Sequence, residues 1–236
     1  MNVDTNELSQ PIGFPVENWQ PRQHPPKVVL QGEYCSIEPI DVAKHARSLF
    51  EANLAAEDGR YWTYLSYGPF DKLADYEQWM QATCLGDDPQ FYAIVDAQSG
   101  KAIGVASYLR IHSEVGSIEV GHINFAPALQ RTLAATEAMY LMMKNVFDTL
   151  GYRRYEWKCD DLNTPSRKAA LRLGFKPEGV FRQATIYKGR NRDTAWFSIL
   201  DKEWPTLKAA FEAWLAPSNF DERGKQKQRL QDFSSA

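Results

Sequence analysis

The segment SIEVGHINFAPALQRTLAATEA, residues 117–138, decides the fold predicted for this chain, because it joins a strand candidate directly to a helix. The helix is predicted to run from Gln130 to Gly151, where glycine is a natural C-terminal residue. The first N–H groups of a helix have no partners within it, and the helix dipole adds partial positive charge there. A strand that leads into such a start therefore presents an anion site, most often for phosphate. The alternative is that Thr132 only caps the helix and Arg131 is a solvated surface residue.

The composition of the chain limits its function. With 236 residues, 44% hydrophobic and 24% charged, it can bury a substantial core. A net charge of −3 gives no electrostatic case for a nucleic-acid partner. Cys35, Cys84 and Cys159 are widely spaced and lack metal-ligand spacing, so we expect reduced thiols and no metal. We see no signal peptide and no apolar run of membrane-spanning length, and we expect a cytoplasmic protein without a membrane partner.

The order of predicted elements indicates an α/β domain in one piece. Residues 1–26 are rich in proline and polar residues and predict an irregular N-terminal arm. Residues 27–216 contain strands, a helix, a strand, a helix and further strands, and EWPTLKAAFEAWL closes this domain as a helix. Residues 217–236 are polar enough to form a mobile tail.

Three stretches, QRTLAATEAMYLM, YRRYEWKCDDLNTPSRKAALRLGFKPEGVFR and DTAWFSIL, carry a resemblance that runs from about Val29 to Leu200. They resemble the GNAT superfamily of acetyl-CoA-dependent acetyltransferases, particularly the branch that contains the ribosomal-protein N-terminal acetyltransferases. The resemblance implies a single GNAT-like domain with a central mixed, mostly antiparallel sheet of about seven strands, flanked by helices and splayed at a groove for acetyl-CoA. It also implies acetyl-CoA as co-substrate and an amine as acceptor.

In that family, a turn after the fourth strand holds the CoA pyrophosphate through backbone N–H groups. The residues of this chain that fall on the turn are Gln130, Arg131, Thr132, Leu133, Ala134 and Ala135. Leu133 and Arg131 stand where the family commonly has glycine. A residue that is already helical needs no positive φ, so the turn can still form, with less room near the phosphates.

The segment Asn163-Thr-Pro-Ser166 carries the second part of the resemblance. On its own it predicts a helix start, because Asn163 is a good N-cap and Pro165 suits a first helical turn. The resemblance places Asn163 next to the pantetheine arm and Ser166 near the thioester sulfur, where its hydroxyl could donate to the departing thiolate. It also makes backbone N–H groups near Phe125 the expected donors to the oxyanion.

Acetyl transfer to an amine requires removal of a proton, close placement of the two reactants and stabilisation of the oxyanion. Glu119 is the first candidate for the base, because its strand leads directly to the pyrophosphate turn. His122 is the rival and has a suitable unperturbed pKa. Strand alternation sends these two side chains to opposite faces, so we expect only one to face the site. The structural alternatives are that Glu119 is an ordinary carboxylate at the rim of the site and that His122 is a hydrogen-bonded imidazole in the core.

The aromatic stretch DGRYWTYLSYGPF, residues 58–70, is a candidate wall of the acceptor pocket. In the family, the segment after the first helix lines that pocket, and the aromatic candidates are Tyr61, Trp62, Tyr64 and Tyr67. The alternative, at least as good for any one of these four aromatic residues, is that it packs the two flanking helices onto the sheet. Asp160 and Asp161 either attract a cationic acceptor or bound a turn.

Two functions from different classes follow. One is an N-acetyltransferase that moves the acetyl group directly to a primary amine in a ternary complex; the other is an acyl-CoA-binding module of the same fold without turnover. The missing glycines in the turn favour the binding module, and the Asn163/Ser166 pair favours the N-acetyltransferase. The acceptor stays open among peptide N-termini, polyamines, amino acids and antibiotic amines. The C-terminal helix, with Trp204, Phe211 and Trp214, is a candidate homodimer contact.

Overall fold

A computed structural model describes residues 3–234 of the chain. The strands are β1 (Val3–Thr5), β2 (Pro11–Gly13), β3 (Leu30–Gln31), β4 (Cys35–Pro39), β5 (Gln90–Asp96), β6 (Ala102–His112), β7 (Ser117–Phe125), β8 (Arg154–Asp160), β9 (Lys176–Tyr187) and β10 (Arg190–Leu200). The helices are α1 (Val42–Leu54), α2 (Leu73–Thr83), α3 (Leu133–Lys144), α4 (Thr164–Arg172), α5 (Trp204–Leu215) and α6 (Leu230–Ser234). Short 3₁₀ turns lie at Gly59–Trp62 and Pro217–Asn219, and a π-helical turn at Asn145–Thr149 follows α3.

Eight of the strands form one mixed sheet in the order β3-β4-β5-β6-β7-β8-β10-β9. Neighbouring strands are antiparallel except β7 and β8, which run parallel because α3 crosses between them. The predicted fold class is confirmed, with eight strands where about seven are predicted.

Side-chain alternation divides the buried residues between two cores, one on each face of the sheet. Along β5, Tyr92 and Ile94 join the core that includes α3 and α5, whereas Phe91 and Ala93 join the core that includes α1 and α2. Among the described residues, the second core contains none from β8, β9 or β10. On that face, β8 carries the charged side chains of Arg154, Glu156 and Lys158, and Lys158 lies over the Trp196 ring of β10; β9 is exposed along almost its whole length.

The helix α3 begins later than the sequence predicts. Residues 127–132 form a turn, and the helix starts at Leu133 rather than at Gln130. Arg131 has a φ of 61°, a left-handed conformation that ends the turn. Thr132 then caps the helix, because its Oγ1 accepts from the N–H three residues later at 3.1 Å.

The two end segments contain more structure than the sequence predicts, although residues 1–2 and 235–236 lie outside the described part. In the N-terminal arm, β1 and β2 form a hairpin, and the Trp19 indole donates to the Glu114 carbonyl at 2.6 Å. In the C-terminal segment, α6 places Leu230 in the larger core at 3% exposure. Phe233 of the same helix and Phe220 before it are partly buried against that core, so a few apolar side chains dock this otherwise polar segment.

The aromatic residues of α5 do not form an exposed surface. Trp204, Phe211 and Trp214 are 4%, 1% and 5% exposed, and the first two pack against Tyr140 of α3. These three side chains complete the core of their own chain, and the homodimer stays a prediction. None of the helices within residues 3–234 combines the length and apolar content of a membrane span.

Candidate active site

The strands β7 and β8 part midway along their length. Their parallel pairing begins at Ser117 and Arg154 and ends at Val120 and Trp157. Beyond that point, residues 121–125 of β7 have no strand partner on this side. The backbone N–H and C=O groups on this side that the chain does not itself pair are available to a ligand, whereas the Phe125 carbonyl already accepts from the Gln130 side chain. The gap corresponds to the splayed groove that the resemblance implies.

A β-bulge in β7 turns His122 toward this groove. Between Gly121 and Asn124, β7 carries one residue more than its partner β6, and His122 has a φ of 51°. The extra residue reverses the alternation of side chains along the strand. Glu119 and His122 consequently line the same cavity, and the prediction that they face opposite sides of the sheet is wrong.

The cavity lies where the strands part and has a volume of about 320 Å³. Glu119 and His122 line it from β7, Ser166 and its neighbour Asn163 line it from the start of α4, and Tyr64 lines it from the segment after α1. The β9–β10 hairpin closes the remaining side. All three predicted catalytic residues thus meet in one space, which is large enough for a small ligand.

Asn163 and Ser166 are fixed by hydrogen bonds at the start of α4. The Asn163 Oδ1 accepts from the Ser166 N–H at 3.1 Å, which is the predicted N-cap. The Ser166 Oγ accepts from the Trp157 indole N–H at 3.0 Å, so its own proton is left to donate. Burial raises the pKa of the neighbouring Cys159 thiol, and the Ser166 hydroxyl opposes that rise. The Ser166 hydroxyl can therefore donate to a nearby acceptor, and the Cys159 sulfur is one such neighbour within the chain.

Glu119 is buried, at 3% exposure, and its carboxylate lies between two cations. Arg110 Nη1 is 2.8 Å from Oε1, and Lys158 Nζ is 2.8 Å from Oε2. Burial raises the pKa of Glu119 above the ordinary glutamate value, and the two cations limit the rise. A carboxylate with a raised pKa is better suited to receive a proton near neutral pH than an ordinary one.

A second bulge, in β6, aims Arg110 at Glu119. Between Leu109 and His112, β6 carries one residue more than β7, and Arg110 has a φ of 47°. The carboxylate of Asp88 accepts from the N–H groups of Arg110 and the next residue at 2.9 and 3.0 Å. These bonds satisfy the donors that the bulge leaves unpaired and hold the arginine in position.

Lys158 connects Glu119 to a row of alternating charges on the open face of β8. Its ammonium lies 2.7 Å from Glu156, and Glu156 lies 2.6 Å from Arg154. The ammonium also lies 3.8 Å from the ring centroid of Trp196 on β10. Each buried charge in this row is thus compensated by a neighbour, which is the condition under which buried ions are tolerated.

His122 is a weak base in this setting. Its ring lies 5.7 Å from that of Tyr67 and 4.8 Å from that of Phe91, centroid to centroid. Burial, and secondarily the charge of Arg110, lowers the pKa of His122 to about 4. The imidazole is therefore neutral at pH 7 and holds a proton less readily than a free histidine.

Of the four aromatic residues predicted to wall the acceptor pocket, the cavity lining includes only Tyr64. Its hydroxyl donates to the Leu162 carbonyl at 3.1 Å. Trp62 and Tyr67 pack in or against the core that includes α1 and α2, which is the packing alternative. Tyr61 is 38% exposed and lies away from the cavity lining.

The start of α3 presents free backbone donors. Within residues 3–234, the N–H groups of Arg131, Leu133 and Ala134 have no hydrogen-bond acceptor. The Ala135 N–H is different, because the Thr132 hydroxyl accepts from it. Three unpaired N–H groups beside an exposed guanidinium fit an anionic group such as a pyrophosphate.

Gln130 and Phe125 form the corner between β7 and this turn. The Gln130 side-chain amide donates to the Phe125 carbonyl at 2.8 Å. This bond commits the amide to the chain's own backbone, so Gln130 supports the turn rather than reaching out to a ligand. Neither residue lines the 320 Å³ cavity.

The two aspartates before Asn163 bound a turn. Asp160 is 4% exposed and accepts from the Tyr187 hydroxyl at 2.8 Å and the Leu162 N–H at 2.9 Å. Asp161 lies 2.6 Å from Arg167. Both carboxylates therefore have partners within the chain.

The cavity also contains residues that the sequence analysis does not single out: Arg110, Lys158, Tyr187 and Arg192. The alternation of YRRYEWKCD is a signal for Lys158, because it places that lysine on the same strand face as Glu156. Arg110 carries no such signal, since its direction depends on the bulge. No group of histidine, cysteine, aspartate and glutamate side chains in the described part of the chain is arranged to hold a metal ion.

Comparison with known proteins agrees with this geometry. The model of the acetyltransferase (GNAT) domain matches residues 36–176. A GCN5-related N-acetyltransferase from Brucella melitensis has a crystal structure that is 48% identical, with a TM-score of 0.91, over 94% of this chain and 100% of its own. The N-acetyltransferase p20 of Bacillus licheniformis is 27% identical over 61% of this chain and 86% of its own length.

A protein from Vibrio cholerae assigned as a ribosomal-protein-serine acetyltransferase shares the fold, with a TM-score of 0.64 and 20% identity, over 74% of this chain and 98% of its own. The matched domain contains the parted strands, the turn before α3 and the start of α4, which together carry the candidate site. The chain belongs to the GNAT family of N-acetyltransferases.

Proposed function

We propose that this enzyme transfers the acetyl group of acetyl-CoA to a primary amine within a ternary complex. The observation that carries the proposal is the parting of β7 and β8 at Val120 and Trp157. It leaves a free strand edge that leads from the cavity to the turn before α3. The free edge suits the amides of a pantetheine arm, and the unpaired N–H groups at Leu133 and Ala134 suit a pyrophosphate.

Acetyl-CoA supplies an acetyl carbonyl activated as a thioester. Glu119 receives the proton of the incoming ammonium, directly or through one water, and the neutral amine then attacks the carbonyl carbon. The new carbon–nitrogen bond replaces the carbon–sulfur bond, and the sulfur leaves as a thiolate. The proton that the attacking nitrogen loses as it becomes an amide passes to this thiolate, directly or through water. Ser166 donates a hydrogen bond to that sulfur, and the parted strands hold the two reactants together.

Between the two candidate bases, the surroundings favour Glu119. Burial raises its pKa, whereas burial and Arg110 lower the pKa of His122 to about 4. A base with a pKa nearer the working pH contributes more to proton transfer. His122 instead forms part of the cavity wall.

We also place the enzyme in the cytoplasm. Its three cysteines are free and buried, with no disulfide among the described residues. Reduced thiols are typical of a reducing compartment.

The test combines acetyl-CoA binding with turnover. Calorimetry should show binding of acetyl-CoA, and free thiol should then be released with at least one amine from a panel of peptide N-termini, polyamines and amino acids. Thiol release above the rate without amine supports the proposal. Binding without release for any amine would indicate the acyl-CoA-binding module instead, and absence of binding would contradict both.

A further inference from the structure

The tip of the β9–β10 hairpin carries a basic cluster, which we define as Lys188, Arg190 and Arg192. The chain as a whole has a net charge of −3, yet these three cations fall within five residues of sequence beside the cavity. Among residues 3–234, none of the three forms an ion pair with a carboxylate. The cluster therefore has no carboxylate as a direct ion-pair partner in the described part of the chain.

Neutral oxygen atoms hold the basic cluster in place. Lys188 and Arg190 donate to backbone carbonyls of the segment after α1, at 2.8 and 3.4 Å. Arg192 donates through Nε to the Thr194 hydroxyl at 3.1 Å, which leaves both Nη atoms without an acceptor in the described part of the chain. Because Arg192 also lines the cavity, these two nitrogen atoms are the free donors of the cluster nearest to a bound acceptor.

The charge of the cluster acts on its surroundings. Burial and the neighbouring Arg190 lower the pKa of Lys188, as expected where like charges are close. Arg192 similarly lowers the pKa of the Cys159 thiol in the cavity, although burial of that thiol raises it more. The field of Arg192 thus reaches the space beside Ser166.

Neither carboxylate of the cavity contacts the basic cluster directly, and the oxygens of both already have partners. Glu119 lies between Arg110 and Lys158, and Asp160 accepts from Tyr187 and a backbone N–H. An acceptor with several positive charges, such as a polyamine, would meet three cations that lack ion pairs and one carboxylate, Asp160, whose two oxygens already accept hydrogen bonds. An acceptor with a negative group would complete the hydrogen bonds of Arg192.

We propose that the natural acceptor is a primary amine that carries a carboxylate, and that Arg192 binds this carboxylate while the amine faces Glu119. This inference rests on the proposed function. The guanidinium fork matches a carboxylate and can donate two parallel hydrogen bonds to it. A cavity of about 320 Å³ accommodates an acceptor of amino-acid size. The carboxylate can belong to a free amino acid or to an acidic residue next to a peptide N-terminus.

Matched pairs of amines separate the effect of the carboxylate from that of the amine. L-methionine is compared with L-methioninamide, and a Ser-Asp-Ala-amide peptide with Ser-Asn-Ala-amide, with spermidine as a polycationic probe. We expect kcat/KM to favour the carboxylate member of at least one pair by about tenfold or more, the usual effect of hydrogen bonds to a charged group. The pair that shows the preference identifies which carboxylate is bound. A preference for methionine would run against intrinsic reactivity, since an amino-acid amide loses its ammonium proton more easily.

The variant Arg192→Gln should abolish this preference. Its KM for the carboxylate member should rise about tenfold or more with little change in kcat, because Arg192 binds the acceptor and does not take part in the chemistry. The constants for the amide member should stay unchanged. Arg182→Gln is the matched control, since Arg182 is an exposed arginine of β9 outside the cavity lining. Thermal melts of both variants check folding.

Equal constants for both members of each pair, a preference that survives in Arg192→Gln, or spermidine as the best acceptor would overturn the inference. A failure of the proposed function looks different, because acetyl-CoA would bind and no amine would release thiol. In that case, calorimetric titration of the enzyme–CoA complex with the same two pairs of amines still tests whether a carboxylate site exists. Tighter binding of a carboxylate member that is lost in Arg192→Gln would support the carboxylate site, and equal binding would exclude it.

Discussion

Glu119 acquires its properties from side chains on the two neighbouring strands. Lys158 of β8 and Arg110 of β6 each approach one of its oxygens at 2.8 Å. Without them, a carboxylate at 3% exposure would be costly to ionise, and with them it remains a charged group whose pKa burial still raises. Its proposed role as a base thus depends on the charges of Lys158 and Arg110.

The substitution Glu119→Gln keeps the shape of the side chain and removes its basicity. We expect turnover to fall by roughly a hundredfold or more near neutral pH. The deficit should narrow as pH rises, because more of the acceptor amine is then neutral. In the wild type, the acidic limb of the pH profile of kcat/KM should lie above the ordinary glutamate pKa, since burial raises the pKa of Glu119. That limb should vanish in the variant. Initial rates of thiol release across pH measure both effects.

Glu156→Gln is the matched control for this experiment. Glu156 also contacts Lys158, at 2.7 Å, but it lies outside the cavity lining. It should keep an acidic limb in its pH profile, moved to lower pH because Lys158 then pairs with Glu119 alone, and both variants should keep their affinity for acetyl-CoA. A Glu119→Gln enzyme with a wild-type profile would remove Glu119 from the mechanism and direct attention to His122.

The Ser166 hydroxyl is expected to matter when the thiolate forms. Ser166→Ala should lower turnover at saturating substrate by about tenfold or more, with the dissociation constant of acetyl-CoA nearly unchanged. Thr164→Ala, which removes an exposed hydroxyl from the same helical turn, should change neither quantity. Calorimetry measures the dissociation constant of acetyl-CoA, and saturation kinetics measure turnover. Loss of affinity with unchanged saturated turnover would show that Ser166 is a binding or capping residue.

At the scale of elements, the start of α3 is expected to bind the pyrophosphate. Arg131→Glu places a repelling charge beside the unpaired N–H groups of that turn. It should weaken CoA binding by about tenfold or more and leave pantetheine, which has no phosphate, almost unaffected. Lys144→Glu makes the same charge change in the last turn of α3 and should alter neither ligand. Calorimetric titrations provide the comparison, and an equal loss for both ligands would count against the phosphate assignment.

The sequence predicts features that depend on nearby residues and misses those that depend on strand pairing. The cap at Asn163 is local, because its acceptor and donor lie three residues apart, and it is confirmed. The bulges at His122 and Arg110 arise from one extra residue relative to a partner strand, so no local pattern reveals them. Composition likewise shows that aromatic residues follow α1, but it cannot distinguish Tyr64, which lines the cavity, from Trp62, which packs in the core.

For the whole molecule, the docked C-terminal helix is expected to contribute to stability. Leu230→Ala truncates a side chain that is 3% exposed in the larger core. We expect the free energy of unfolding to fall by roughly 2–5 kcal/mol. The loss should be near the lower end of this range if the terminal helix moves into the space that the leucine leaves. Leu162→Ala, at a leucine that is 76% exposed, is the control and should cost far less. Urea denaturation measures both, and equal losses would show that residues beyond 216 add nothing to the fold.

The exposed β9 strand has a consequence for how the protein behaves in a crowded cell. A long edge strand with unpaired backbone groups can pair with a strand of a second chain. Such edge-to-edge pairing can lead to aggregation of β-sheet proteins. Between Phe181 and Thr185, β9 carries two residues more than β10, and the Gln183 N–H donates to the Asp193 carboxylate at 2.7 Å. The bulge bends the outer strand at its middle. The side chains of Lys188 and Arg190, which follow in the sequence, would repel the same residues of a second copy that added to this edge. We therefore expect this edge, which borders the 320 Å³ cavity, to resist self-assembly.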